Sequence, residues 1–248
     1  MRGFHGGDAE GPPWYTTPMK LTLVTRQAEA PDVESFVFRA EEPVAWKAGQ
    51  FFHYVLHHEP TDDRGSDRWF TVAAAPSERT PIITTRSAGE KGSSFKKALF
   101  AMKPGDAIEV SACEGDFTFD EGSPDARHVF IAGGIGITPF RAILKDLDDH
   151  NVTPRITLIY ANRDANAAYR EELEKFAAKN PHMEIVYVIA PDRIDVPKIA
   201  SIAGDLKEPI FYVSGPEPMV EDLGSALSAA GVPAVHLKQD WFPGYPAE

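Results

Sequence analysis

Three glycines within four residues follow the apolar run at the start of HVFIAGGIGITPF, residues 128–140. Gly133, Gly134 and Gly136 would let the backbone approach a pyrophosphate, and Pro139 suits the first turn of a following helix. The free N–H groups and the dipole of that helix attract phosphate. The run departs from the G-x-G-x-x-G fingerprint because a phenylalanine follows the proline, so a tight structural turn is the alternative.

The elements that must position this turn alternate between strands and helices. Short continuous apolar runs predict strands buried on both faces, and they cover 128–132, 155–160, 184–190, 210–215 and 234–238. Apolar residues at helical spacing lie between them, at 139–150, 167–179 and 217–231. This alternation predicts βαβ units and a parallel sheet, in which ligands bind at the carboxyl ends of the strands.

The preceding part of the chain has a different period. Its β-rich runs are separated by turn-forming residues and cover 21–25, 35–40, 50–56, 68–75, 81–86 and 106–111. They predict an antiparallel barrel or sandwich, interrupted by one helix at 93–102. We therefore predict a flexible N-terminal arm over residues 1–18, a barrel domain over 19–122 and an α/β domain over 123–248.

Composition excludes several classes of function. The 248-residue chain has a net charge of −12, which argues against non-specific binding to nucleic acid or to an anionic membrane surface. The single cysteine, Cys113, excludes an internal disulfide and a cysteine-ligated iron–sulfur cluster of the chain's own. No stretch approaches the length of a membrane span, so we expect a cytoplasmic protein. His53, His57 and His58 are expected at the surface, and no metal site is predicted.

Several motifs occur together and in order: RWFT at 68–71, AGGIGITP at 132–139 and YVSGPEPM at 212–219. With these motifs in this order, the chain resembles the ferredoxin–NADP reductase family over about residues 20 to 246. GQFFHYVL and EGDFTF also lie where that family has GQ-apolar and G-x-F segments. The resemblance implies an antiparallel β-barrel domain that binds a flavin, usually FAD, followed by an α/β domain that binds a nicotinamide dinucleotide. It also implies an oxidoreductase.

The resemblance assigns flavin contacts in the barrel half. Arg68 would pair with the flavin phosphates, Phe70 would lie against the isoalloxazine ring, and the Thr71 hydroxyl would bond near the N5 edge. A plain barrel strand is the alternative for this motif. The full predicted set is Arg68, Trp69, Phe70, Thr71, Thr85, Arg86, Ser87, Gly92, Ser93 and Ser94. Of these, Gly92, Ser93 and Ser94 would bring a helix N-terminus to the pyrophosphate, and the serines would also serve as N-caps.

A second set is assigned to the nicotinamide dinucleotide. It comprises Gly133, Gly134, Gly136, Thr138, Pro139, Asn162, Arg163, Gly215, Pro216 and Met219. Thr71, Thr138 and Ser214 are the expected catalytic residues, although many relatives have cysteine at the position of Ser214. Arg163 suits a 2′-phosphate and favours NADP(H), whereas Asp164 keeps NAD(H) possible. Arg170 is an alternative phosphate contact or part of a surface salt-bridge row.

The C-terminal tail and the electron acceptor complete the predictions. Relatives often cover the flavin with a C-terminal aromatic residue, for which Trp241 and Phe242 are preferred and Tyr245 is a third candidate; they would otherwise pack the terminus. Hydride would pass from NAD(P)H to FAD and electrons to a separate acceptor, with a small acidic ferredoxin or flavodoxin preferred. A basic patch would dock it or form an ordinary helix face: Arg86, Lys91, Lys96, Lys97 and Lys103. Direct reduction of free flavin, a quinone or a ferric chelate, and a non-catalytic flavin-binding subunit, stay open.

Overall fold

The computed structural model describes residues 18–123 and 125–242, so almost all of the predicted arm and Tyr245 lie outside the described residues. The first half forms a six-stranded antiparallel sheet in the order β4-β3-β6-β1-β2-β5. Its elements are β1 (Met19–Ala30), β2 (Val33–Ala40), β3 (Phe51–Val55), β4 (Asp67–Thr71), β5 (Ile82–Arg86), helix α1 (Ser94–Ala101) and β6 (Ala107–Glu114). The predicted antiparallel barrel is confirmed.

This sheet curls around one apolar core, and alternate residues of its strands point into that core. Leu21 and Leu23 of β1 point inwards, as do Phe52 and Tyr54 of β3, and Phe95 of α1 covers one end. Strands β4 and β5 are the two edges of the sheet, so the barrel has a seam between them. Backbone groups along such an edge can bond to another group placed there.

The second half is a five-stranded parallel sheet in the order β11-β10-β7-β8-β9. Its elements are β7 (Arg127–Gly133), α2 (Thr138–Asp149), β8 (Arg155–Asn162), α3 (Arg170–Lys179), β9 (Met183–Ile189), α4 (Val196–Ala203), β10 (Ile210–Pro216), α5 (Glu217–Ala229) and β11 (Leu237–Phe242). Strands β7 and β10 are buried along nearly their whole length, as their continuous apolar runs predict. Within the two described ranges, no helix combines the length and the apolar character that crossing a bilayer requires.

Three local details differ from the sequence-based prediction. Helix α4 was not predicted, although Asp195 caps it by accepting a bond from the Lys198 N–H at 2.8 Å. The predicted strand over 234–238 begins at Leu237, because a 3₁₀ turn precedes it. Helix α3 begins at Arg170 rather than at 167, because Tyr169 adopts a left-handed conformation with φ of 61°.

The two halves share one apolar cluster. Phe117, in the segment after β6, packs against the rings of Phe140 and Tyr212, with both centroid distances at 5.5 Å. Val33 and Ala48 of the barrel half belong to the same cluster as the core under the parallel sheet. The predicted division between residues 122 and 123 falls between β6 and β7 and stays a prediction.

Candidate active site between the barrel edge and the glycine turn

Strand β4 presents the RWFT motif at the seam of the barrel. Arg68 and Phe70 lie on one face of the strand, and Trp69 lies on the other, where it contacts the rings of Phe51 and His53. Phe70 packs on Phe95, with 5.8 Å between ring centroids, and the Arg68 guanidinium lies over the same Phe95 ring. The structure therefore brings Arg68 and Phe70 together beside α1 and places Trp69 away from them.

Thr71 provides the test of whether this edge fits a flavin. Its side chain is 4% exposed, and its hydroxyl has no hydrogen-bond partner within residues 18–123 and 125–242. The same holds for Nη2 of Arg68. A buried polar group without a partner is costly, and a polar ring edge and a phosphate would supply the two missing partners. The residues at this edge fit the group that the sequence predicts.

The N-terminus of α1, where the pyrophosphate was predicted, already holds a carboxylate. Ser93 caps the helix by accepting a bond from the Lys96 N–H at 3.2 Å. The Asp62 carboxylate accepts a bond from the Ser94 N–H at 2.8 Å, and the Ser94 hydroxyl accepts one from the Asp62 N–H. The Ser94 bond and Arg64 hold the pKa of Asp62 well below its usual range. A phosphate at this helix must share the N-terminus with Asp62 or displace it, which sequence reasoning missed.

The end of β5 and the segment that follows it carry further predicted flavin contacts. Thr85 is buried, and Arg86 forms an ion pair with Asp32 at 2.8 Å. The Ser87 N–H donates to the Asp32 carbonyl, so this segment is tied to the β1–β2 turn. Next to it lies a groove of about 280 Å³, which Ser87, Gly92 and α1 line. Of the predicted flavin contacts, Ser87 and Gly92 therefore line one groove.

The glycine turn faces this segment. Residues 134–137 form a 3₁₀ turn that leads directly into α2, with Pro139 in the first turn of the helix. Gly134 has a φ of +52°, and a Cβ built there would lie 4.0 Å from Nη2 of Arg86. The Thr138 hydroxyl donates to the Ile135 carbonyl at 3.2 Å. Arg86 and Gly134 are thus the point where the predicted flavin and nucleotide residues meet.

Close packing gives the other two glycines a structural role. A Cβ built at Gly136 would lie 2.2 Å from the Ser214 carbonyl oxygen, and one at Gly133 would lie 2.3 Å from the sulfur of Met219. Gly215 and Pro216 follow Ser214 on β10, beside the same turn. The turn can lie this close to the β10 backbone only because Gly136 carries no side chain, whereas at Gly133 the neighbouring group is the flexible side chain of Met219.

The predicted nicotinamide end is built by β10 and β11. Their parallel register places Asp240 beside Ser214, Trp241 beside Gly215, and Phe242 beside Pro216. Ser214 is fully buried, and its hydroxyl donates to the Asp240 carboxylate at 3.5 Å, a long bond. Burial and the Asp116 charge raise the pKa of Asp240 to about 7, against the opposing effect of the Ser214 bond.

Sequence reasoning missed Asp240 because only the strand register brings it to Ser214. The position of Asp240 one residue before the predicted aromatic cover was the available signal. Trp241 is 49% exposed, so its side chain is accessible to solvent. The predicted roles of Trp241 and Phe242 stay predictions.

The residues predicted to bind a 2′-phosphate lie at and after the end of β8. Nη2 of Arg163 donates to the Asp32 carboxylate at 3.1 Å, so one carboxylate of the barrel holds both Arg163 and Arg86. The Asp164 carboxylate accepts a bond from the Asn166 N–H, within its own turn. Arg170 pairs with Glu174 on α3 and lies over the Tyr187 ring, in agreement with the salt-bridge alternative. Asn162 ends β8 beside Arg163.

A barrel edge that faces the glycine turn of a parallel sheet defines the class of two-domain, nicotinamide-dependent oxidoreductases. In agreement, residues 130–224 match the family model described as "Oxidoreductase NAD-binding domain". The fold matches that of ferredoxin–NADP⁺ reductase from Plasmodium falciparum, with a TM-score of 0.78 and 16% identity over 91% of this chain and 96% of that one.

Curated relatives extend the similarity. Ferredoxin–NADP reductase B of Sorangium cellulosum is 30% identical over 64% of this chain and 65% of its own length. The stachydrine N-demethylase reductase subunit of Rhizobium meliloti is 26% identical over 91% of this chain and 67% of its own length. These similarities confirm the predicted resemblance to the ferredoxin–NADP reductase family and the predicted cofactors, FAD and NAD(P). The chain spans between 56% and 67% of the length of four curated relatives.

Proposed function

We propose that this protein oxidises NAD(P)H through a bound FAD and delivers the electrons to a separate acceptor. The observation that carries the proposal is the approach of the glycine turn at Gly134 to Arg86, at the end of the edge strand β5 that borders the seam with the RWFT strand β4. Relatives named as reductase components of monooxygenases and dioxygenases support an acceptor that is a separate protein.

When bound, FAD and the nicotinamide dinucleotide would supply the redox chemistry, which is hydride transfer. The chain supplies binding and orientation. Phe70 and the Thr71 hydroxyl position the flavin at the seam, while the turn at Gly134 and the N-terminus of α2 bind the dinucleotide phosphates. Trp241 limits the access of water to the reacting ends.

Ser214 and Asp240 form a polar pair at the nicotinamide end. Because burial raises the pKa of Asp240 to about 7, this carboxyl group exchanges its proton near neutral pH. The Ser214 hydroxyl donates to the carboxylate when Asp240 is ionised. The pair would therefore carry one exchangeable carboxyl proton at the predicted nicotinamide site, without a cysteine at position 214.

The preferred acceptor is a small acidic ferredoxin or flavodoxin. Of the predicted basic patch, three lysines are exposed: Lys91 before α1, Lys97 within it and Lys103 after it. Arg86 pairs with Asp32, and the Lys96 ammonium donates to the Arg86 carbonyl, so these two cations are turned towards the protein. Docking of the acceptor therefore depends on the three exposed lysines. The single cysteine fits a reducing compartment such as the cytoplasm.

Anaerobic stopped-flow measurements test the proposal. The flavin's visible absorbance is followed after mixing with NADPH or NADH, and fast bleaching is expected, faster with NADPH. Slow or absent bleaching by both nucleotides, with flavin bound, would support the non-catalytic subunit instead. To identify the class of acceptor, turnover with an acidic protein acceptor is compared between K97E/K103E and the control K179E/K207E, which makes the same charge change on the α/β domain. Equal turnover of both variants with an acidic protein acceptor would favour direct reduction of a small molecule.

A further inference from the structure

Arg141 uses all of its N–H groups in one buried network. Its side chain is 8% exposed. Nε and Nη2 donate to Glu172 at 3.0 and 2.7 Å, and Nη2 also donates to Glu78 at 2.9 Å. Nη1 donates to Glu78 and to the Ala73 carbonyl, the latter at 3.1 Å. A guanidinium has five N–H donors, so none is left over for solvent or ligand.

The network crosses from one domain to the other. Glu172 lies on α3 of the same domain as Arg141, whereas Glu78 and Ala73 belong to the barrel half. Two carboxylates compensate the buried charge and raise the pKa of Arg141 further. Removing one carboxylate still leaves the guanidinium with a counter-charge, so the barrel contact and the intradomain contact can be separated.

Arg141 and Ala73 lie close in the chain to the residues predicted to face the two cofactors. Ala73 comes two residues after Thr71, which faces the expected flavin, and Arg141 comes three residues after Thr138, which follows the glycine turn. The bond from Arg141 to the Ala73 carbonyl therefore joins the segment after the flavin-facing residue to the first helix turns after the nucleotide-facing residue.

Tyr169 makes a second contact across the same boundary. Its ring lies 5.5 Å from the Arg141 guanidinium, and its hydroxyl bonds to Ser35 of β2 at 2.9 Å and to Thr84 of β5. Tyr169 reaches these partners from a left-handed backbone conformation, which is unfavourable for a non-glycine residue. The contacts must offset that cost, so the interface is well defined.

We propose that Arg141 is a positioning residue, which sets the distance between the flavin-facing edge and the glycine turn through Ala73 and Glu78. This inference rests on the proposed function for its effect on hydride transfer, but the geometry itself does not depend on bound cofactor. A change in separation of about 1 Å lowers the rate of such a reaction by up to about a hundredfold. Arg141 therefore affects the rate without touching either cofactor.

The test compares E78A with E172A. Each variant removes one carboxylate from Arg141, but only E78A removes a contact to the barrel. The distance between the domains is measured in the cofactor-free full chain by pairs of spin labels at V24C and V235C, in a C113S background. Single-turnover flavin reduction at saturating NAD(P)H, its deuterium isotope effect and KM are measured with each loaded enzyme.

We expect E78A to broaden the distance distribution and to slow hydride transfer at least tenfold, with KM changed less than threefold. E172A should keep the parent distribution and a rate within threefold of the parent. E78Q, which retains an acceptor oxygen for Arg141, should show the distance distribution and the hydride-transfer rate of the parent. If E78A does not fold, Y169F replaces it: loss of the Tyr169 hydroxyl contacts to the barrel should broaden the distance distribution to a smaller extent. Equal distance distributions in E78A and E172A would overturn the inference, whereas loss of flavin reduction in the parent chain would overturn only the proposed function.

Discussion

The three glycines of the turn should respond to alanine in three different ways. A Cβ at Gly136 would lie 2.2 Å from the Ser214 carbonyl oxygen, 2.5 Å from its carbon and 2.6 Å from Cα of Gly215. Ordinary contact between these atoms needs about 3.4 Å, so the overlap is about 1 Å, against the backbone of a strand paired on both sides. Overpacking of flexible side chains costs about 1–3 kcal/mol, and here the cost should reach at least about 3 kcal/mol.

The neighbouring positions serve as controls. A Cβ at Gly133 meets the sulfur of Met219, a flexible side chain that can rotate away, so G133A should cost about 1 kcal/mol. Gly134 has open space around it but a φ of +52°, so G134A should cost about 1–2 kcal/mol from backbone strain alone. Urea unfolding followed by circular dichroism gives the free energy of unfolding of each variant. A G136A cost equal to or below that of G134A would refute the steric reasoning.

Three further outcomes follow from single contacts. Because the folded pKa of Asp240 is about 7 and its usual value is 3.8, the folded state keeps a proton that the unfolded state has lost. The resulting stabilisation is lost as pH rises from about 4 to 7. Between pH 5 and pH 8, D240N should therefore lose less free energy of unfolding than the parent, by about 2–3 kcal/mol. An equal loss in both proteins, measured by urea unfolding at the two pH values, would contradict this. T71V should leave the melting temperature of the cofactor-free protein unchanged or higher, because it removes an unpaired buried hydroxyl. In titrations monitored by flavin fluorescence, T71V should weaken FAD binding about five- to tenfold, and unaltered affinity would exclude the hydroxyl contact. D32N should relax the hold on Arg163 and raise the kcat/KM ratio of NADPH over NADH by about three- to tenfold, whereas a lower ratio would argue against Arg163 as the phosphate contact.

The architecture could be predicted from the sequence because the residue pattern of each helix or strand is local and extends over only a few residues. Short β-rich runs separated by turn-forming residues predicted the barrel strands, and continuous apolar runs predicted β7 and β10. The cap at Ser93 and the left-handed Gly231 after α5 were likewise readable from the residue types. Helix α4 was missed although Asp195 and Pro197 carry the usual start signals, because its short apolar stretch offers few turns to establish a period.

The parts of the site that could not be predicted depend on contacts between distant residues. Arg141 reads as one cation on a helix face, and only the docking of the domains shows that Glu78 and Ala73 enclose it. Asp240 reads as a surface acid until the register of β11 places it beside Ser214. The carboxylate of Asp62 at the start of α1 likewise comes from a loop whose course no local signal encodes.

The apolar cluster shared by the two domains limits how this chain can be recombined with its relatives. Val33, Ala48 and Phe117 lie on the barrel side of the predicted boundary but complete the core beneath the parallel sheet. Gly49 fits against the Phe117 carbonyl only because it lacks a Cβ, so the Ala48–Gly49 pair and Phe117 must be inherited together. A chimaera joined at residue 122 would carry these residues away with the barrel, and its nicotinamide domain would need a donor barrel with matching surfaces to remain folded.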